Sequence, residues 1–258
     1  MRLLSVVIIT FNEEKNIGRC IESVCPVADE IIVIDSFSDD ETANIANALG
    51  AIVKQSKFSG YIDQKNKAIK LATHDLVLLL DADEALSDEL AASVLEAKKD
   101  LLVNAYSMNR CSFFCGEFIR HGLWYPDKKI RLFNKAMGKC GGMNPHDRIL
   151  MDAGIAVKHL RGDLLHYSFD TQEEYLERND EVSTTAAQSL YEAGIKRSWT
   201  KIIFSPLWAF INGYFLRLGF LDGYNGYIIA LHSANQSFVK YQKLRQLYRK
   251  KLKKIIWE

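Results

Sequence analysis

The run Leu76-Val77-Leu78-Leu79-Leu80 ends abruptly in Asp81-Ala82-Asp83-Glu84. Five apolar residues in a row, with no alternation, read as a strand buried on both faces, which requires a sheet covered by helices on either side. Acids at the carboxyl end of such a strand lie where open α/β sheets hold their ligands. Two carboxylates spaced by one residue on an extended chain project to the same side, so they can share a hard divalent cation that also takes diphosphate oxygens. The competing reading is a turn leading to a helix capped by Ser87, with acids favoured near the positive helix end. A lone Asp-x-Asp does not decide between them.

The chain around the motif does more. Leu3–Thr10 is a β-rich apolar run, and Glu14–Val24 carries Ile17, Cys20, Ile21 and Val24 at helical spacing. Glu30–Ile34 predicts a second strand, 41–49 a helix stopped by Gly50, Ala51–Lys54 a third strand, Tyr61–Ala72 a helix and Leu76–Leu80 a fourth strand. Strands separated by short helices imply right-handed crossovers and a parallel sheet. All carboxyl ends then lie on one edge. Three polar loops share it: Thr10-Phe11-Asn12-Glu13, Asp35-Ser36-Phe37-Ser38-Asp39 and Asp81-Ala82-Asp83. No Gly-x-Gly-x-x-Gly follows the first strand and no Gly-x-x-x-x-Gly-Lys-Ser/Thr occurs. Phosphate would therefore be handled by an acid-held cation rather than by a glycine-rich cradle.

On these residues the chain resembles a known family. The segments SVVIITFNEEKNIGRCIESV, EIIVIDSFSDDET, GYIDQKNKAIKLA and LVLLLDADEALSDEL resemble the amino-terminal half of family 2 glycosyltransferases, the inverting GT-A enzymes. Later blocks, GLWYPDKKIRLFNK, NPHDRI, LLHYSFDTQEEYLER and GFLDGYNGYIIALHSANQSFVKY, are similar to a bacterial subgroup that includes lipopolysaccharide core β-1,4-glucosyltransferases. The resemblance implies an α/β GT-A fold, a Rossmann-like nucleotide-diphospho-sugar domain, over residues 1–170. A mostly helical, amphipathic and basic region would occupy 171–258.

The site residues follow from the same resemblance. Thr10, Asn12 and Glu13 would line the base and ribose pocket, and Asp35 would accept the uracil imide proton with Ser38 and Asp39 nearby. Lys65 and Asn66 would face the nucleotide. Asp81 would reach the ribose or the water shell of a Mg²⁺ or Mn²⁺ ion, Asp83 would ligate that ion directly, and His166 would approach it. Inverting transfer needs one general base for the acceptor hydroxyl. The matching pair is His146-Asp147, which in the family often opens a helix. Asp147 is the candidate, with Glu84 and Asp127 as competitors and Asp standing where Glu is usual. Trp124 and Tyr125 read either as a sugar-stacking platform or as core, and Arg131 as a fork for phosphate or carboxylate or a loop brace.

The implied reaction is transfer of a sugar, glucose from UDP-glucose by resemblance, to a saccharide or glycolipid acceptor of the lipopolysaccharide core or a related surface glycan. Transfer to polyprenyl phosphate is the alternative enzyme reading, and a non-catalytic nucleotide-sugar-binding or scaffold protein the alternative class. At 258 residues, 48% hydrophobic and 25% charged, the chain can build a substantial core, and a net charge of +1 speaks against nucleic acid as partner. Five cysteines without Cys-x-x-Cys spacing fit a reducing compartment, and the first strand begins almost at the first residue, so residence in the cytoplasm is expected. Between Phe238 and Trp257 lie eight lysines and arginines and no acid, preceded by an apolar stretch from Trp199 to Leu216 broken by Pro206 and Asn212. That pattern predicts an interfacial segment rather than a spanning one, resting on the inner leaflet, or else a helical packing surface.

Overall fold

Seven consecutive buried residues form β1 (Leu4–Thr10), flanked in parallel by β2 (Glu30–Asp35) on one side, with β3 (Ile52–Gln55) beyond it, and by β4 (Leu76–Asp81) on the other. The computed structural model describes residues 1–143, 146–195 and 199–257. Successive side chains of a strand face opposite sides, and both sides are apolar here. Val6, Ile8, Leu78 and Leu80 pack with Ile17, Ile21 and Val24 of α1 (Ile17–Val24), while Val7, Ile9, Ile34, Val77 and Leu79 join a second cluster. α2 (Thr42–Ala48) follows β2, and α3 (Tyr61–Leu71) sets Ala68 and Ile69 into the second cluster. Each strand and helix lies within a few residues of its sequence-predicted bounds.

The chain divides into two compact units, Met1–Cys111 with Asp127–Tyr167, and Ser112–Pro126 with Ser168–Glu258. In the first, after β4 and a turn, β5 (Glu84–Leu86) leads to α4 (Asp88–Lys99), whose cap is Ser87: its Oγ accepts the Leu90 amide at 3.2 Å. Asp88 and Glu89 sit in the first turn and Lys98 and Lys99 in the last, both favourable to the helix dipole. Later strands extend the sheet antiparallel: β6 (Ala105–Phe114), with the short β7 (Glu117–Phe118) at its end, and β8 (Asp127–Asn134), which pairs with β4. β9 (Gly138–Met143) and β10 (His146–Met151) form a separate hairpin, and β11 (Val157–Phe169) closes on β5. The sheet order is β3-β2-β1-β4-β8-β6-β11-β5.

Two sequence expectations are corrected here. His146-Asp147 does not open a helix: it begins strand β10, paired with β9 through Met143 and Gly142. The alternating Ile149 and Met151 face the second cluster, which is the period of a strand. Asn144 and Pro145 lie outside the described residues. The stretch 81–83 is not extended throughout, because the chain turns at Ala82 and Asp83.

The second unit gathers Ser112–Pro126 with the carboxyl-terminal helices. Its core is aromatic: Tyr175 stands 5.4 Å from Phe114, 5.3 Å from Trp124 and 5.1 Å from Phe169 between ring centres, with Ile228 and Ile229 against them. Of the two sequence readings of Trp124, the structure thus shows the packing one. α5 (Gln172–Glu192) starts in a full capping box, Thr171 with Glu174. α6 (Trp199–Ile211) runs into a π-helical turn, Asn212–Leu216, then a 3₁₀ turn, Gly219–Asp222, and α7 (Gly223–Trp257). Leu218 holds a left-handed φ of 58° at the bend, and the two arms meet at 75°. The crossing is tight because Gly219 and Gly226 have no side chain: a Cβ at Gly219 would stand 2.6 Å from the Gly213 carbonyl oxygen, and one at Gly226 would overlap that of Gly219. Among the described residues, no single helix is long and apolar enough to cross a membrane.

Candidate active site

The parallel register levels three strand ends. Thr10 pairs with Asp35 and Ile9 with Asp81, so the loops after β1, β2 and β4 emerge side by side. The first two are laced together: the Asn12 amide donates to Ser38 Oγ at 2.9 Å, the Asp39 amide to Asn12 Oδ1 at 3.0 Å and the Glu13 amide to Thr42 Oγ1 at 2.8 Å. Asp35 is fully buried and accepts from the Ser38 amide and hydroxyl. Asn12 and Phe37 hold left-handed φ values of 52° and 65°, a cost that these cross-loop bonds offset. Thr10 Oγ1 and Gln64 Oε1 are buried without a hydrogen-bond partner. A buried polar atom left unpaired beside a crevice is a place for a ligand group.

Beneath the crevice lies a network of buried charges. Arg131, on β8, donates to Asp81 Oδ2 at 2.8 Å and to Glu84 Oε1 at 2.6 Å. Lys65 Nζ, only 3% exposed, lies 2.9 Å from Asp81 Oδ1 and 2.9 Å from Asp147 Oδ2. Burial works against the charge on Asp81, but Arg131 and then Lys65 more than offset it and hold the carboxyl well below the usual carboxylate range. Burial likewise opposes the charge on Lys65, yet Asp81 and Asp147 raise it above an ordinary lysine. The Cys140 thiol, 3.7 Å from Asp147 Oδ2, is pushed up to about 11 by burial and by that carboxylate.

The pairing of β5 with β11 sets His166 opposite Glu84 and so beside Asp83. His166 Nε2 lies 3.1 Å from Asp83 Oδ2, and the Tyr167 amide donates to the Asp83 carbonyl at 2.9 Å. Glu13 belongs to the same neighbourhood: burial raises its carboxyl above the usual range, Asn16 opposes this, and Asp83 adds to it. Asp83 and His166 thus stand as a contacting pair of potential ligand types. Among the described residues no group of three or more His, Cys, Asp or Glu gathers to hold a metal. A pair fits a cation that keeps substrate phosphate and water as its other ligands, as Mg²⁺ characteristically does.

The sequence-predicted residues therefore fall on one edge of the first unit, with different surroundings. Asp81 and Lys65 are bound to each other and to protein charges. Asn66 exchanges two hydrogen bonds with the backbone of Cys140, donating to its carbonyl at 2.9 Å and accepting its amide at 3.0 Å. Adjacent residues of α3 thus grip the hairpin that carries Asp147. Of the rival bases, Glu84 has a fully buried side chain between Arg131 and the Asp81 amide, and Asp127 is paired with Arg110 at 2.9 Å and Lys129 at 3.1 Å. Motif chemistry does not single out Phe11 and Phe37, which stand 58% and 55% exposed on the two laced loops. Their signal in the sequence is a large apolar residue inside an otherwise polar strand-end loop.

The model of the glycosyl transferase family 2 domain matches residues 5–158. A Rickettsia typhi glycosyltransferase described as uncharacterized is 31% identical over 96% of this chain and 88% of its own length. The lipopolysaccharide core biosynthesis glycosyltransferase LpsC of Rhizobium meliloti is 27% identical over 94% of this chain and 92% of its own. A solved structure of glucosyl-3-phosphoglycerate synthase from Mycobacterium tuberculosis, with Mn²⁺, UDP and phosphoglyceric acid, is 26% identical over 43% of each chain with a TM-score of 0.36. With the strand order and crevice above, the family match identifies this chain as a glycosyltransferase of the GT-A type, a member of glycosyl transferase family 2.

Proposed function

We propose that the protein transfers a sugar, with inversion, from a nucleoside diphosphate to a saccharide of the lipopolysaccharide core or a related surface glycan, with UDP-glucose as donor. The observation that carries this reading is the convergence at one sheet edge of Asp83 with His166 and, across Asp81 and Lys65, of Asp147. Similarity to LpsC along nearly the full chain supports the acceptor class. The laced loops of Asn12, Glu13, Asp35 and Ser38, with the unpaired Thr10 hydroxyl, form the nucleotide pocket.

Asp83 and His166 would hold Mg²⁺ or Mn²⁺, which when bound supplies positive charge to the departing diphosphate. Asp147 takes the proton of the acceptor hydroxyl as its oxygen bonds to the anomeric carbon and the bond from that carbon to the diphosphate oxygen breaks. Lys65 fixes the Asp147 carboxylate, while Arg131 holds Asp81 and Glu84 beneath it. The five cysteines stand free, which supports the cytoplasm as its compartment, where such a donor would be met.

Release of UDP from a panel of UDP-sugars tests the reading, with and without Mn²⁺, for wild type and Asp83→Ala, on deacylated lipopolysaccharide core acceptors and on polyprenyl phosphate. Acceptor-dependent release that needs metal and is lost in the variant is the expected result. Transfer to polyprenyl phosphate alone overturns the acceptor class. Failure of wild type to bind or turn over any of the donors overturns the donor assignment.

A further inference from the structure

The second unit carries a surface that the transferase chemistry does not use. Between Trp199 and Tyr224, eleven large apolar side chains are each at least 44% exposed. On α6 they fall at helical spacing: Trp199, Ile203 and Leu207 form one ridge and Phe204 and Trp208 the next. The opposite side holds the buried Ile202 and the half-buried Ser205, whose hydroxyl bonds that of Ser237 of α7 at 2.8 Å. α6 is therefore docked by one face and bare on the other. Through the bend the exposed row continues with Phe215, Leu216, Leu218 and Phe220. Soluble monomers seldom expose an apolar patch of more than about 300–600 Å² unless something covers it.

Charge indicates what covers it. From Lys196 to Glu258 the sequence holds twelve lysines and arginines against two acids, leaving the first 195 residues at a net charge of −9 in a chain whose total is +1. One of those acids, Asp222, is turned inward, where it accepts from the His121 amide and ring nitrogen at 2.8 Å. Cations flank the apolar row in the structure: Lys201 and Arg217 are exposed, Arg249 is exposed on α7, and the Arg245 guanidinium lies 3.7 Å over the Trp199 ring. Aromatic and aliphatic tips rimmed by basic residues match a surface with acyl chains below and negative head groups above. A second copy of the chain fits poorly, because a two-fold contact would set each cationic rim against its like.

We propose that the α6 face and the bend after it form an interfacial docking surface for an anionic lipid bilayer, the apolar tips entering the acyl boundary and the basic rim lying among the head groups. The bent arms lie in the interface rather than crossing the membrane. This inference stands apart from the transferase reading and does not depend on it.

Flotation of the full-length protein with vesicles of phosphatidylcholine alone or mixed with phosphatidylglycerol tests it. Variants are Phe204→Glu/Trp208→Glu and Arg217→Glu/Arg249→Glu, with circular dichroism and light-scattering chromatography on each. The expected result is binding to the mixed vesicles that weakens with salt, falls about tenfold or more in the apolar variant, and falls severalfold in the charge variant. Far-ultraviolet spectra stay unchanged because the altered side chains are exposed. Wild-type protein that stays unbound with the mixed vesicles overturns the proposal, as does binding that neither variant alters. A dimer that dissociates in the apolar variant, with no flotation, would assign the surface to a second copy instead.

Discussion

The two units treat burial in opposite ways. In the first, Lys65, Glu84 and Arg131 are almost wholly withdrawn from solvent and held in pairs, with Asp81 and Asp147 drawn in beside them. In the second, the large apolar Trp199, Phe204, Trp208 and Leu216 stand in solvent. Buried charge costs free energy unless paired, and exposed apolar area forfeits free energy that burial would gain. The proposed transfer and the proposed lipid docking rest on these two departures, a polar floor on one unit and an apolar face on the other.

The largest test of that contrast is Asp83→Ala, which should lower transfer by about a thousandfold or more in the UDP-release assay. Phe204→Glu/Trp208→Glu should leave transfer to a soluble acceptor unchanged. A loss in both would join what the contrast separates. Arg131→Met should destabilise the fold by about 3–5 kcal/mol in chemical denaturation, since the fully buried Glu84 would lose its close cation and Asp81 would keep only Lys65.

Asp29→Asn should cost about 1.5–3 kcal/mol at neutral pH by weakening the hold of Asp29 on Lys98, 2.6 Å away and 3% exposed. Burial pushes the Asp29 carboxyl up, but Lys98 and the Leu4 amide pull it further down, below its ordinary value. Its contribution is therefore complete above about pH 4, the unfolded value, and is lost as pH falls through the lower folded value. Stability measured against pH should show wild type and variant converging in acid. Ser87→Ala, which removes the cap of α4, should cost about 1 kcal/mol. Phe204→Ser should shift stability by no more than about 0.5 kcal/mol in the same denaturation experiment. A loss of several kcal/mol there would mean that the side chain is structural, and the contrast between units would fail.

Much of the first unit was legible because its rules are local. The unbroken apolar runs of β1 and β4, the spacing of Ile17, Cys20, Ile21 and Val24, and the cap at Ser87 each depend on a few neighbouring residues. The placement of the three polar loops followed from parallel topology alone. What escaped depends on contacts between distant residues. Lys65 reaches Asp147, Arg131 reaches Asp81, and Asn66 mimics a strand neighbour for Cys140; no periodicity in a single sequence encodes such pairings. The β9–β10 hairpin was hidden for a related reason, since Gly141 and Gly142 weaken strand signals. The join of Ser112–Pro126 to the carboxyl-terminal helices was hidden as well, because those residues lie about fifty positions before the aromatic partners they pack against.

The glycine crossing behind the bend has a consequence for how this sequence can vary. Gly219 packs on the Gly213 backbone of the other arm and Gly226 on the Gly219 backbone, so a larger residue at either must displace backbone, while Ile203, Phe204 and Leu207 a few turns away contribute little to the packing of their own helix. A library randomised from 199 to 226 and selected only for folding should return glycine at those two positions and drift toward polar residues on the exposed ridges. Selection for the activity of the whole cell's enzyme should hold the ridges apolar as well, and the gap between the two outcomes would read out which residues the fold keeps and which its surroundings keep.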